Sequence, residues 1–279
     1  MMKRMSALLV LLALLFVNHP ATAASGNPDP AQAIGQSSRL PALDGSCSRV
    51  PLCLTGSRVL NGEAYVASAK LWQTNFGTGM IELLDLTTCQ VKQRCPAPNA
   101  IDPSELAMYK GWLVEYDFGS GMLTAIDTSN CAVVWTCNAP GDDLAEGLTA
   151  DGEYLYKADS QGIHRFSVDN AGTVTLAGFC PNVPGDSYDG LTFCKQNGET
   201  LVALGYSGVM YQIDFISCHV LASCQLNLGA EGNGLASNFV DHVYVDNVNG
   251  NVDELNVGCS LPPVPVEATT WSGIKARFH

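Results

Sequence analysis

Oxygen-bearing side chains that could do chemistry recur at matching places along this chain. Ser104, Glu146, Asp189 and Asn233 each stand shortly before a Leu-Ala or Leu-Thr pair. Brought to one point, such carboxylates and amides are the hard oxygen donors that calcium takes about six to eight at a time, with backbone and water completing the shell. Glu146, Asp189 and Asn233 are therefore the expected metal ligands, and calcium the expected ion. Asp117, Asp159, Tyr206 and Asp246 close the runs that follow and are expected to bind ligand around the same place. No residue is assigned a catalytic role. His164, His219 and His242 lie in no Ser or Cys motif that specifies a triad. Gly77-Thr-Gly79 and Gly119-Ser-Gly121 read as turns, without the following helix that would receive a phosphate. A quinone or other organic cofactor has no signature here.

The cysteines are the second chemical feature, eleven in all and all between Cys47 and Cys259. Four pairs share one spacing, with five residues between the members: Cys47 and Cys53, Cys89 and Cys95, Cys131 and Cys137, Cys218 and Cys224. Their first members step by 42, 42 and 87 residues, the last close to a double step, and Cys259 follows 41 after Cys218. The missing member belongs near residue 174, where Val168-Asp-Asn-Ala-Gly-Thr173 replaces the first cysteine and Cys180 keeps the second.

The text around the pairs repeats too. Asn75-Phe-Gly-Thr-Gly-Met80 with Leu84-Asp85 matches Asp117-Phe-Gly-Ser-Gly-Met122 with Ile126-Asp127, and Tyr206-Ser-Gly-Val-Met210 with Ile213-Asp214 is a weaker copy. Segments 153–157, 200–204 and 242–245 are β-branched and aromatic runs bounded by Gly, Asn and Asp, as half-buried strands require. A unit of about 42 residues with three or four strands has the size of a propeller blade. The expected fold is an all-β, five-bladed β-propeller over residues 46–260, rich in disulfides. The last unit stops where its outermost strand should begin and the first opens with that strand, so the N-terminal strand is expected to complete the last blade and remove two open edges.

Ile126-Asp-Thr-Ser-Asn-Cys-Ala-Val-Val-Trp135 and Glu146-Gly-Leu-Thr-Ala-Asp-Gly-Glu-Tyr-Leu-Tyr156 resemble the secreted YVTN/NHL-like propellers over about residues 46–259. That resemblance implies blade construction and carries no activity. Glu146-Gly-Leu-Thr149 and Asp189-Gly-Leu-Thr192 also resemble segments of five-bladed glutaminyl cyclotransferases, which implies a transferase alternative.

Six steps of strand cover roughly 20 Å, against about 4.4–6.8 Å between the Cα atoms of a disulfide. Each pair must leave strand geometry or bond elsewhere. Because outer strands of a ring diverge, local pairing is expected: 47–53, 89–95, 131–137, 218–224, and Cys180 with Cys194, leaving Cys259. The competing arrangement clasps Cys47 to Cys259 and leaves Cys53. No Cys-x-x-Cys occurs, which argues against zinc.

Residues 1–23, with Lys3 and Arg4, an apolar run over Ala7 to Val17 and Ala21-Thr22-Ala23, read as a secretory signal. A loose lead-in over 24–45 and a Pro-rich spacer and tail over 261–279 are expected, the tail carrying Trp271, Ile274 and Phe278 beside Lys275 and Arg277. The net charge of -13, from 14 Lys+Arg against 27 Asp+Glu, excludes the basic footprint of a nucleic-acid or anionic-membrane partner. The expected product is a secreted or periplasmic monomer with no membrane span, which binds a protein or small molecule at its channel mouth or serves as a scaffold. The alternative is a cation-dependent hydrolase, lactonase-like, or a glutaminyl cyclotransferase-like transferase, sited at the central channel.

Overall fold

The computed structural model describes residues 46–47, 49–54, 60–75, 77–98, 103–142, 147–194, 200–226, 234–239, 242–247 and 251–255. The expected signal, lead-in, spacer and tail lie outside these residues, as do Glu146, Asn233 and Cys259. No helix among the described residues is long and apolar enough to cross a membrane.

The described residues form 21 strands in five sheets, one per blade. The chain enters through β1 (Ser46–Cys47) and β2 (Arg49–Leu54). Blade 1 is β3 (Leu60–Val66), β4 (Lys70–Asn75), β5 (Met80–Asp85) and β6 (Gln90–Pro96), in order from inside to outside. Blade 2 follows as β7 (Pro103–Tyr109), β8 (Trp112–Asp117), β9 (Met122–Asp127) and β10 (Ala132–Asn138). Blade 3 is β11 (Leu148–Ala150), β12 (Leu155–Ala158), β13 (Gly162–Val168) and β14 (Val174–Pro181). Blade 4 is β15 (Tyr188–Cys194), β16 (Thr200–Gly205), β17 (Val209–Asp214) and β18 (His219–Leu226). Blade 5 holds β19 (Leu235–Ser237), β20 (Val243–Asn247) and β21 (Asn251–Leu255), and β2 supplies its outer strand.

Closure is therefore the one the repeat predicts. β2 runs antiparallel to β21 from Arg49 opposite Leu255 to Leu54 opposite Asn251. β1 does something the repeat does not indicate: it adds in parallel to the outer edge of blade 4, with Cys47 opposite Leu226.

The repeated residues each have a local reason. Gly79 and Gly121 take φ of +63° and +66° in the turns after the second strands, where a side chain would be strained. Asp127 ends a third strand and accepts the Ser129 N–H at 2.9 Å. Hydrogen bonds from Ser129 hold its carboxyl below the usual range. Five apolar clusters fill the five junctions between blades, so second strands are buried on both faces. Leu71, Leu113, Leu155, Leu201 and Val243 occupy equivalent places and each packs toward the preceding blade.

The expected local disulfides do not form. Cys53 bonds Cys89, Cys95 bonds Cys131, Cys180 bonds Cys218 and Cys224 bonds Cys47, each joining the outer strand of one blade to the next. This also removes the 47–259 clasp and the 180–194 bond; Cys194 is disulfide-bonded, but not to Cys180. Cys137, expected in a disulfide, is free. The strand-length argument against local bonds holds; the divergence argument fails because the turn cysteines Cys89, Cys131 and Cys218 stand at φ of +55°, +60° and +57°, outside the strands. Such a turn projects sideways and reaches the neighbouring outer strand that two strands could not bring together.

Candidate functional site

Inner strands begin, and second strands end, at the same mouth of the channel. Gly62 shows how closely blades approach there: a Cβ on it would lie 2.0 Å from the Ser104 carbonyl oxygen. Further along the inner strands a ring of small residues, Ala64, Ala107, Thr149, Thr192 and Ala236, lines a cavity of about 20 Å³. That holds about one water.

The sequence-selected residues fall at the mouth with different duties. Asp189 is buried in β15, opposite the end of β16. Ser104 donates its hydroxyl to the Tyr116 carbonyl at 3.1 Å, and its own carbonyl accepts from Thr74 Oγ1 at 3.1 Å. It is backbone scaffolding. Asp117 is fully buried at the end of β8 and accepts the Ser120 N–H at 2.8 Å, and Asp246 in β20 accepts the Gly234 N–H at 2.7 Å. Asp159, just past β12, has both oxygens engaged: Oδ1 accepts from Gln161 and Gly162 N–H at 2.8 and 2.9 Å, while Oδ2 meets the Asp142 N–H at 3.1 Å and His164 Nε2 at 2.7 Å. Its carboxylate builds a turn. Tyr206 lies past β16 on the rim and is 57% exposed. The structure thus brings Asp117, Asp159, Asp189 and Asp246 to one mouth and leaves Tyr206 outside it. Among the described residues no three His, Cys, Asp or Glu side chains gather as a metal group; two of the three expected calcium ligands lie outside those residues.

Three residues at this mouth escape the sequence-based selection. Glu105 is fully buried near the start of β7, at a level where other blades place Gly62, Gly147, Gly190 and Gly234. Lys157 is fully buried in β12; its Nζ donates to the Asp142 carbonyl at 2.6 Å and sits 4.8 Å over the Tyr116 ring of blade 2. Glu115 in β8 is fully buried between blades 1 and 2, on the face of Leu113, and neither carboxyl oxygen has a hydrogen-bond partner among the described residues. Burial, with the nearby charge of Asp117, pushes its pKa up to about 8. A carboxyl in that range exchanges its proton near neutrality and can serve as acid or base. A signal for two of them exists in the spacing: Glu115 and Lys157, like Gln73 of blade 1, fall two residues after the buried Leu113, Leu155 and Leu71, in phase with the core.

No protein-family model matches the sequence, and no curated protein matches it. Among solved structures the chain is similar to glutaminyl cyclase of Myxococcus xanthus, with 16% identity, a TM-score of 0.59, and cover of 77% of this chain and 96% of that one. It is also similar to virginiamycin B lyase of Staphylococcus aureus, with 12% identity and a TM-score of 0.46, spanning 70% of this chain and 65% of the lyase. The likeness to the glutaminyl cyclase agrees with the propeller fold and specifies no chemistry.

Proposed function

We propose that the chain is a binding propeller of an oxidising compartment, secreted or periplasmic, which takes a positively charged ligand at the acidic mouth of its channel. The observation that supports this is that the inner strands and the ends of the second strands carry buried acidic residues at one mouth: Glu105, Asp117, Asp189 and Asp246. These acids outnumber the one buried amine there, Lys157, and a surface with an excess of one sign concentrates the opposite sign by its field. Calcium is the first ligand to test, with Glu146, Asp189 and Asn233 as its expected oxygen donors. The interblade disulfides suit the compartment, since such bonds persist where thiols are oxidised. Calorimetric titration of the purified protein with calcium, beside melting curves with and without chelator, tests the reading. Heat of binding and a raised Tm are expected, with affinity at least tenfold weaker in Asp189→Asn. No heat and no shift would overturn it.

A second reading is favoured by Glu115. Its carboxyl, buried on the second strand of a chain folded like a glutaminyl cyclase and raised toward neutrality, supports a hydrolase or transferase at the same mouth. Ammonia release from a glutaminyl peptide, lost in Glu115→Gln, is the expected result. A wild-type protein with no turnover removes this reading and leaves the binding one standing.

A further inference from the structure

Four of the five junctions between blades carry a disulfide. At the junctions of blades 5 and 1, 1 and 2, 3 and 4, and 4 and 5, the second cysteine of one outer strand bonds the first cysteine of the next unit, with Cα atoms 5.3 to 5.7 Å apart. Where the turn cysteine is Cys89, Cys131 or Cys218, its Sγ lies 3.4, 3.6 or 3.8 Å from the carbonyl oxygen preceding its partner. The junction of blades 2 and 3 carries no such joint among the described residues. Cys137 is present on its blade 2 side and free. On the blade 3 side stands Gly172, at φ +80°, in the left-handed region its cysteine counterparts occupy. A Cβ built on Gly172 falls 2.8 Å from the Thr136 carbonyl oxygen, the one preceding Cys137. Gly172 therefore holds the place of the missing cysteine.

Noncovalent contacts span this junction instead. The Tyr109 hydroxyl accepts the Val168 N–H at 3.0 Å and lies 3.2 Å from the carbonyl oxygens of Val168 and Glu153, and Lys110 Nζ donates to the Val168 carbonyl at 3.2 Å. Lys157 of blade 3 lies over Tyr116 of blade 2 on the same seam. A disulfide cannot part without being reduced, whereas hydrogen bonds of about 1 kcal/mol each open and reclose.

We infer that the seam between blades 2 and 3 is the hinge of the ring, the junction that parts while the other four stay clasped, and that its parting uncovers the buried Lys157. The device is independent of which ligand the mouth takes. Two groups report it directly: the Val168 N–H, whose bond crosses the seam, and the Lys157 amine, which is fully buried when the seam is shut.

The test is hydrogen exchange and amine-reactive labelling of the full chain with its disulfides intact. In the wild type the Val168 amide should exchange, and Lys157 should label, at least tenfold faster than global unfolding allows. In Gly172→Cys, peptide mapping without reduction should show a bond to Cys137, and both rates should fall at least tenfold. Val168 and Lys157 opening only with global unfolding in the wild type would overturn the inference, whatever the variant does. So would a formed clasp that leaves both rates unchanged.

Discussion

Glu115 is the residue whose surroundings most oppose its chemistry. Period-two alternation along β8 puts Leu113, Glu115 and Asp117 on one face, and that face is packed against blade 1. In the sequence, polar residues in a short apolar run look like the wet side of a strand, so Gln73, Glu115 and Lys157 draw less notice than the carboxylates at strand ends. The physical reason is that a propeller covers its second strands on both faces, so polarity there is a buried feature. The last two blades place Ala203 and Val245 at the same position, which confines the polar groups to blades 1 to 3. Glu115 also fixes a pH dependence. Its pKa is about 8 in the folded protein, against the ordinary glutamate value of 4.5, so the folded state keeps a proton that the unfolded chain loses. Stability from this group is complete below about pH 4.5 and falls as pH rises toward 8, by about 3 kcal/mol at pH 7 if burial is maintained on ionisation. Glu115→Gln keeps the shape and removes the titration. Its Tm should match the wild type near pH 4.5 and exceed it by several degrees at pH 7 to 8; equal melting at both ends would show that the carboxyl is not held neutral.

At the scale of elements, the repeat period is legible in the sequence and the joints are not. Equal steps between cysteines and the Gly turns after the second strands are enough to give blade size and strand order. The disulfide partners depend on a turn conformation that the sequence does not display: a non-glycine residue at positive φ that carries its sulfur out of the strand. Yet the unit lacking its first cysteine points at the right junction, because the partner it orphans is Cys137 of the preceding blade. The level of these residues on the strands is legible in the sequence, since Asp117, Asp189 and Asp246 all stand at the end where inner strands begin and second strands end, whereas Asp159 is committed to a turn by its four hydrogen bonds, which spacing does not show. Blade-to-blade contact sets a further requirement that spacing alone does not reveal. A Cβ at Gly62 would meet three backbone atoms of blade 2, the Ser104 oxygen at 2.0 Å, the Glu105 Cα at 2.5 Å and the Ser104 carbonyl carbon at 2.9 Å. Backbone cannot swing away as a side chain would. Gly62→Ala should therefore cost about 3 kcal/mol, the upper part of the range for overpacking. The denaturant midpoint measures this, and an unchanged midpoint would mean that β3 and β7 can separate freely.

For the whole molecule the decisive question is what keeps a ring shut when its first and last strands lie far apart in the chain. Two devices act together, the ladder of β2 on β21 and the Cys47–Cys224 bond that pins β1 to the outer strand of blade 4. The bond spans a sequence separation of 177, against 36 for Cys95–Cys131. Loop-closure entropy grows with the logarithm of length, so the long bond is worth about 5 kcal/mol and the short one about 4, less where other bonds already shorten the path. The difference in magnitude is small; the difference in what comes loose is large. Without Cys95–Cys131, blades 1 and 2 are still joined by the chain between β6 and β7. Without Cys47–Cys224, β2 keeps its Cys53–Cys89 bond, but that bond ties it to blade 1, into which the chain runs in any case. Its Arg49 end is then held to blade 5 by the ladder alone and can fray from there. In Cys47→Ser with Cys224→Ser, backbone amides at the start of β2 should exchange and the bond after Arg49 should be cut by trypsin well before global unfolding, with part of the β21 edge left open and prone to associate. The Cys95→Ser with Cys131→Ser pair should lose comparable stability with β2 still protected. If that strand stays protected in both variants, the β2–β21 ladder alone shuts the ring, and the long disulfide contributes to stability without closing anything.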